Sequence, residues 1–266
     1  MKRIGIVGLC LAAMFALSAM GASSAFAGEY GVCAKAAKSG KKYTGKYLDK
    51  NCTKAATEGE IAEGKKNKYE WDPYPGPAGT KWTYTSKSKT AILEGAAGDI
   101  TCKASTDAGE VTGVKSDVDT TTFTGCILSV TKESCQNTAT AGTIVTTHNV
   151  TTLIDHGETG DSGKEPKEGE VWTQYTGEGT TGPEGTLASW ECSGIPFTTN
   201  GSLSGVTTED VNVMSTKSKT TFNKEVGEQD LLTTFFNPFT SKIETGPAVE
   251  NVTGEAKNAG KIEIKA

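Results

Sequence analysis

The sequence predicts an all-β protein, an antiparallel β-sandwich or barrel with a small disulfide-stapled N-terminal segment. Short runs rich in Thr, Val, Ile and aromatic residues alternate between apolar and polar positions along most of the chain. Gly, Asn, Asp or Ser separates these runs at spacings that suit antiparallel hairpins. Helical periodicity is nearly absent, which argues against parallel α/β folds.

The first 27 residues have the order of a secretory signal peptide. Lys2 and Arg3 precede an apolar stretch at 4–19, and small residues end in Ala-Phe-Ala at 25–27. We therefore expect cleavage before Gly28 and a secreted or cell-surface protein. No later stretch reaches the roughly 20 apolar residues of a membrane helix, so we expect no membrane span after signal removal.

Six cysteines follow residue 27, and an even number in an exported chain favours three structural disulfides. None has the C-x-x-C spacing of redox or zinc sites. The sequence leaves several connectivities open. We expect two local loops and one link between distant segments, from the pairs Cys33–Cys52, Cys126–Cys135 and Cys102–Cys192.

Charge and composition divide the exported part in two. Residues 28–68 contain ten lysines against five acidic residues, although the whole chain has a formal charge of -5. The stretch WDPYPGPAG at 71–79 is typical of an interruption, because it holds three prolines and two glycines. We predict a signal peptide at 1–27, a basic disulfide-stapled segment at 28–75 and an acidic β-rich body at 76–266.

The body contains nine runs that we predict as strands. In chain order these are KWTYTS (81–86), TAILE (90–94), DITCKA (99–104), EVTGVK (110–115), DTTTFTGCILSV (119–130), TIVTTHNVTTLI (143–154), EVWTQY (170–175), TLASWEC (186–192) and KIEIK (261–265). A short helix is predicted over 207–214, because Thr208 could cap it, with Glu209 and Asp210 in its first turn.

Several sequence blocks follow one another in a recognisable order. The N-terminal blocks are Cys33, Tyr43-Thr44-Gly45, Asp49, Cys52-Thr53, Tyr69-Glu70-Trp71 and Pro75-Gly76-Pro77. The later blocks are TCKASTDAGEVTG (101–113), TFTGC (122–126), GSLSGV (201–206) and VMSTKSKTTF (213–222). This order resembles a group of uncharacterised exported proteins from actinobacteria of the Thermoleophilia type, although residues 155–170 and the C-terminal part depart from it. The resemblance implies export and this domain order, and it brings no established activity or site residues.

The first candidate site is a basic surface in the stapled segment, with aromatic residues beside it. It comprises Lys35, Lys38, Lys41, Lys42, Tyr43, Lys46, Tyr47, Trp71 and Tyr74. Such a cluster of point charges could attract an anionic envelope polymer or polysaccharide. The competing interpretation is that these lysines serve solubility.

Aromatic residues form a second feature, a band comprising Tyr69, Trp71, Tyr74, Trp82 and Tyr84. Flat rings with polar edges can bind sugar rings face-on, as β-sandwich carbohydrate modules do. The competing interpretation, which we favour, is that the rings pack the basic segment onto the body, with Trp82 and Tyr84 on the core face of a strand.

Two groups of acidic residues could support chemistry. Calcium binding is conceivable at Asp155, His156, Glu158 and Asp161, although their spacing matches no established calcium loop and a solvated acidic loop is the simpler interpretation. Asp117 and Asp119 would share one face of a strand, and paired carboxylates are used in glycoside hydrolysis. The simpler interpretation for this pair is exposed turn aspartates.

These observations favour an exported non-catalytic protein at the cell surface or outside the cell, either structural or binding envelope or extracellular polymers. Two alternatives stay open: a secreted hydrolase that uses carboxylates or a metal, and an adhesion or inhibitor-like module. Nucleic-acid binding is not expected, because the one arginine of the sequence, Arg3, lies in the predicted signal peptide.

Overall fold

The computed structural model describes residues 28–154, 170–177, 185–226 and 229–266. The predicted signal peptide at 1–27 lies outside these residues. Within them the chain is almost entirely β, as the sequence predicts.

Nineteen strands and one helix are described. The strands are β1 (Glu29–Lys35), β2 (Lys38–Ser39), β3 (Lys42–Tyr43), β4 (Tyr69–Pro73), β5 (Thr83–Ser88), β6 (Ala91–Gly95), β7 (Ile100–Cys102), β8 (Ala104–Val111), β9 (Ser116–Thr124), β10 (Ile127–Leu128), β11 (Cys135–Gln136), β12 (Thr143–Val145), β13 (Asn149–Ile154), β14 (Val171–Gly177), β15 (Thr186–Cys192), β16 (Ile195–Thr208), β17 (Ser215–Phe222), β18 (Gln229–Asn237) and β19 (Lys242–Lys265). The helix, α1, spans Glu58–Glu63.

Eight of these strands close into an antiparallel barrel. The order around the ring is β5, β8, β9, β13, β14, β16, β17 and β19, and β19 pairs back onto β5. Every one of these pairings is antiparallel. Because β19 pairs with β5, the ring of backbone hydrogen bonds is closed and has no edge among the eight strands. Of the two predicted architectures, the chain therefore adopts the barrel.

The long strands β16 and β19 extend the barrel beyond this ring. The first half of β16 pairs with β15 and β18, and the first half of β19 pairs with β18 and β6. This second part encloses an apolar cluster that contains Trp190, Phe197 and Phe235 together with four buried cysteines. Aromatic and cysteine side chains thus fill one end of the interior.

Two of the three disulfides differ from the predicted pairing. Cys33–Cys52 forms as expected, whereas the other two bonds are Cys102–Cys126 and Cys135–Cys192. The predicted pairs Cys126–Cys135 and Cys102–Cys192 are wrong because strand pairing brings other cysteines together. β10 pairs with β7 immediately after Cys126, and Cys135 lies directly opposite Cys192 between β11 and β15.

The N-terminal segment joins the end of the barrel. β1 pairs with β4 on one side and with the last residues of β19 on the other, where Glu29 lies opposite Lys265. Tyr30 and Val32 share an apolar cluster with Trp82 and Ile264. The stapled segment and the body therefore share core residues at this end.

The described helix is not the predicted one. Residues 207–214 form no helix: β16 continues to Thr208, and Val211 bridges to Ile264. The helix that does form, α1, has a capping box in which Thr57 and Glu60 satisfy each other's backbone N–H groups. Within the described ranges no helix is long and apolar enough to cross a membrane.

Candidate ligand cavity in the barrel

Strand alternation places acidic side chains inside the barrel. β8 and β9 are adjacent, and their inward positions include Asp107, Asp117 and Asp119. Asp117 is 2% exposed and Asp119 1% exposed. The two do share a face, as predicted, but the interpretation as exposed turn aspartates is wrong, because β9 begins at Ser116 and directs both into the interior.

Two tyrosines hold Asp117. The phenol of Tyr30 donates to Oδ2 and the phenol of Tyr84 donates to Oδ1, each at 2.6 Å. Gly109 makes room for this contact: a Cβ there would lie 2.4 Å from Cζ of Tyr84. Because both oxygens already accept phenol hydrogen bonds, Asp117 is not arranged as a free carboxylate beside a substrate.

The other two aspartates accept longer hydrogen bonds, and Asp107 has one oxygen without a partner. Asn149 donates from Nδ2 to Oδ1 of Asp119 at 3.2 Å, and Thr151 donates to Oδ2 at 3.3 Å. Ser86 donates to Oδ2 of Asp107 at 3.3 Å, while Oδ1 of Asp107 has no partner. Oδ1 of Asn149 also has no partner, although this side chain is 4% exposed. The side chains that line the interior therefore leave acceptors open on Asp107, Asn149 and Asp210, and donors open on Asn258 and Trp190.

Burial shifts the titration of this cluster. Desolvation, with the neighbouring carboxyl of Asp117, raises the pKa of Asp107 to about 7. Desolvation, with Asp107 and Asp117, raises the pKa of Asp119 to about 8. Burial alone raises the pKa of Glu250, which faces the same interior, to about 7. Asp107, Asp119 and Glu250 are therefore partly protonated near neutral pH.

Desolvation also raises the pKa values of the groups around Asp107, Asp119 and Glu250. It raises the pKa of Asp117, against the hydrogen bonds from Tyr30 and Tyr84. Burial, with the nearby carboxylates, raises the pKa of Tyr30, Tyr84 and Tyr175 well above the usual value, so these phenols stay protonated donors.

A cavity of about 170 Å³ adjoins the cluster. Its walls are mixed: Asp107, Asn149 and Tyr175 contribute polar groups, and Leu203 and Phe222 are among the apolar ones. None of the described residues that line it is Lys, Arg or His. The interior thus combines apolar walls, hydrogen-bond acceptors and acidic groups without a compensating cation.

The predicted basic surface is present as a set of exposed side chains. Its five lysines, Lys35, Lys38, Lys41, Lys42 and Lys46, are exposed, and so is the neighbouring Lys50. Three of them have partners within the segment: Lys42 donates to the carbonyl of Ala62 at 2.6 Å, Lys46 lies 3.3 Å from Glu70, and Lys38 lies over the ring of Tyr43. The lysines are thus grouped on one segment and largely open to solvent.

The aromatic residues predicted beside these lysines lie mostly in packing contacts. Nζ of Lys265 lies 4.0 Å above the ring of Tyr47 and 5.2 Å from that of Trp71. Tyr74 packs edge-on against Trp82 with ring centroids 5.2 Å apart. Only Tyr43 pairs with a lysine of the predicted set, since Nζ of Lys38 lies 4.7 Å above its ring. These contacts agree with the interpretation that the band packs the segment onto the body.

The predicted calcium residues Asp155, His156, Glu158 and Asp161 lie outside the described residues. Among the residues that are described, no three His, Cys, Asp or Glu side chains are grouped so as to hold a metal ion.

Sequence reasoning missed Asp107, Asn149, Tyr30 and Tyr175 as members of the interior site. Burial alternates along β8 and places Asp107 and Val111 on one face, but the run ASTDAGEV does not alternate between apolar and polar residues, so this face was not predictable. The contact between Tyr30 and Asp117 spans 87 positions and leaves no local signal.

Comparison of the chain with protein-family models, with curated proteins and with solved structures finds no significant match.

Proposed function

We propose that this chain is an exported, non-catalytic binding protein whose barrel interior holds a small organic ligand. The observation that carries the proposal is the cavity of about 170 Å³ with unpartnered acceptors on Asp107 and Asn149. Cavities of about 150 Å³ hold one benzene-sized molecule, so a ligand with a single ring suits this volume. Three disulfides agree with an oxidising, extracellular location.

The energetics of the cluster support a functional role. Burying carboxyl groups away from cations costs stability, and folding of a barrel does not need them. Strand positions of this kind are normally filled by Val, Ile or Leu. Natural proteins retain such costly groups at binding sites more often than elsewhere.

The test measures binding of one-ring probes to the oxidised protein. Benzyl alcohol and benzylamine are titrated by calorimetry and by NMR against the wild type and against Ala256→Leu, which reduces the cavity that Ala256 lines. The matched control is Ala108→Leu, on the exposed face of β8. We expect binding to the wild type and to the control, and loss of at least about tenfold in affinity in Ala256→Leu. If neither probe binds, the proposal is rejected.

A second function is proposed for the basic surface of the N-terminal segment: electrostatic attachment to an anionic envelope polymer. It is supported by ten lysines against five acidic residues in 28–68 and by the exposure of the six lysines between Lys35 and Lys50. Sugar-ring stacking is not part of it, since Tyr47 and Trp71 lie beneath Lys265.

Co-sedimentation with isolated cell-envelope polymer over a salt series tests this attachment. The variant replaces Lys35, Lys41 and Lys50 with Ala, because Lys42 and Lys46 have partners within the segment. The control replaces three exposed lysines of the acidic body, Lys103, Lys217 and Lys257. We expect binding that weakens with salt and is lost only in the first variant. Binding that persists near molar salt would contradict the attachment.

A further inference from the structure

We propose that the ligand of the barrel interior is an organic cation, an ammonium group on a small apolar body. This inference rests on the proposed function and names the ligand class of the same cavity. The ammonium group would donate to Oδ1 of Asp107 and Oδ1 of Asn149, and the apolar body would lie toward Leu203 and Phe222.

The hydrogen-bonding pattern carries the first step. Asn149 is 4% exposed and lines the cavity, and its Nδ2 is already used by Asp119 and by Thr146. Its Oδ1 is left without a donor, as is Oδ1 of Asp107. A buried acceptor without a partner costs free energy that a ligand donor would recover. These two oxygens, and Oδ1 of Asp210, which also lines the cavity without a partner, require donors, and an ammonium group has donors and no acceptor.

The charge balance carries the second step. The acidic groups that interact with Asp107 are Asp117 and Asp119 on β9. Glu250 on β19 and Asp210 after β16 line the same cavity. The remaining titratable neighbours are the phenols of Tyr30, Tyr84 and Tyr175. No described Lys, Arg or His lines the cavity, so an entering cation would be the first positive charge among these groups. An anionic ligand would add to the repulsion, and a neutral one would leave the carboxyls protonated.

The apolar walls carry the third step. The carboxyl cluster lies between two apolar clusters along β8 and β9. Val111 belongs to the cluster that contains Trp82, and Phe123 packs against the cluster that contains Trp190. Leu203, Phe222 and Leu231 form a further apolar patch on the cavity side. A small hydrated inorganic ion would gain nothing from these walls, whereas an organic cation buries its body there.

The test compares three probes of matched size near neutral pH: benzylamine, benzyl alcohol and benzoate. Calorimetry measures each affinity for the wild type, for Asp107→Asn and for Asp230→Asn, an exposed strand carboxyl as control. We expect benzylamine to bind at least about tenfold more tightly than benzyl alcohol, and benzoate most weakly. Asp107→Asn should remove most of the preference for benzylamine while changing the affinity for benzyl alcohol by about twofold or less.

The outcomes separate the two proposals. Equal affinities for benzylamine and benzyl alcohol in the wild type would overturn the cation inference and leave the cavity as a binding site. No binding by any of the three probes would overturn the proposed function and this inference together. A preference for benzylamine that survives in Asp107→Asn would reject Asp107 as the anchoring group. The wild-type comparison needs no variant, so poor folding of Asp107→Asn would not prevent a decision.

Discussion

Tyr30 donates a 2.6 Å hydrogen bond to Oδ2 of Asp117, which is 87 positions away in the chain. The first strand of the stapled N-terminal segment therefore contributes a donor to the acidic interior of the barrel. Both side chains are buried, and the second oxygen of Asp117 accepts from Tyr84. The segment thus provides a hydrogen-bond donor to a buried carboxyl inside the barrel, and it also presents lysines on the outside.

Removal of the Tyr30 hydroxyl tests this link. Tyr30→Phe leaves Oδ2 of Asp117 without its donor in a buried position, and we expect the free energy of unfolding to fall by about 1–3 kcal/mol. Urea denaturation of the oxidised protein measures the change. Tyr43→Phe, in the exposed lysine loop, is the control and should change stability by no more than about 0.5 kcal/mol. Equal effects of the two variants would mean that the bond does not stabilise the fold.

Gly109 tests the packing of the other tyrosine. A Cβ at Gly109 would lie 2.4 Å from Cζ and 2.5 Å from the hydroxyl of Tyr84, so Gly109→Ala must displace the ring that donates to Asp117. We expect a loss of about 1–3 kcal/mol in unfolding free energy. Gly254→Ala is the matched control, since the nearest atom there is Oγ of Ser86 at 3.6 Å. If Gly109→Ala is as stable as this control, Tyr84 does not occupy the described position.

Local alternation was enough to predict parts of the fold. TLASWEC at 186–192 coincides with β15, and EVWTQY at 170–175 overlaps β14. β16 was missed because its inward positions include Thr199 and Thr207 beside Leu203, so apolar and polar residues do not alternate. A polar barrel interior removes the pattern on which strand prediction depends.

Long-range pairing set the rest of the fold. The run KIEIK is only the end of β19, which begins at Lys242. The earlier part of this strand contains Gly246, Pro247 and Gly254, residues that weaken any strand prediction. The bonds Cys102–Cys126 and Cys135–Cys192 depend on which strands are neighbours, which spacing along the chain does not reveal. For the candidate site, the sequence placed Asp117 and Asp119 on one face but could not show that the face is enclosed.

The disulfide pattern makes a direct chemical prediction. Non-reducing peptide mapping should recover peptides that join Cys102 to Cys126 and Cys135 to Cys192. It should recover no peptide that joins Cys126 to Cys135 or Cys102 to Cys192. In the chain-entropy model the bond that closes the longer loop stabilises more. The sequence separations are 57 for Cys135–Cys192 and 24 for Cys102–Cys126. Replacing the first pair with Ser should therefore cost about 0.8 kcal/mol more than replacing the second pair.

Equal stability of the two double-serine variants would show that packing around the cysteines outweighs loop length. The comparison is fair because all four side chains lie in the same apolar cluster. Recovery of the alternative bonds would contradict the pairing of β11 with β15 and of β10 with β7.

The acidic interior should make stability depend on pH. Asp107, Asp119 and Glu250 have folded-state pKa values of about 7, 8 and 7, above the usual 3.8 for Asp and 4.5 for Glu. At a pH below the usual pKa values, the three carboxyls are protonated in both the folded and the unfolded protein, so burying them costs no free energy of deprotonation. As pH rises from about 4 to about 8 the unfolded chain releases protons that the folded protein still holds, so stability falls. The slope is at most about 1.4 kcal/mol per pH unit for each group, and the interaction between Asp107 and Asp119 reduces their joint contribution.

Urea denaturation midpoints between pH 4 and pH 8 measure this dependence, with Asp107→Asn as the informative variant. Because Asn does not titrate, the variant should lose less stability over this range and should be more stable than the wild type at the alkaline end. Asp230→Asn, on the exposed side of β18, is the control. A wild type whose stability is constant or rises from pH 5 to pH 8 would contradict the buried, cation-free carboxyl cluster. Saturating benzylamine should flatten the wild-type slope as well, because a bound cation favours the ionised carboxylates and so draws protons from the folded state.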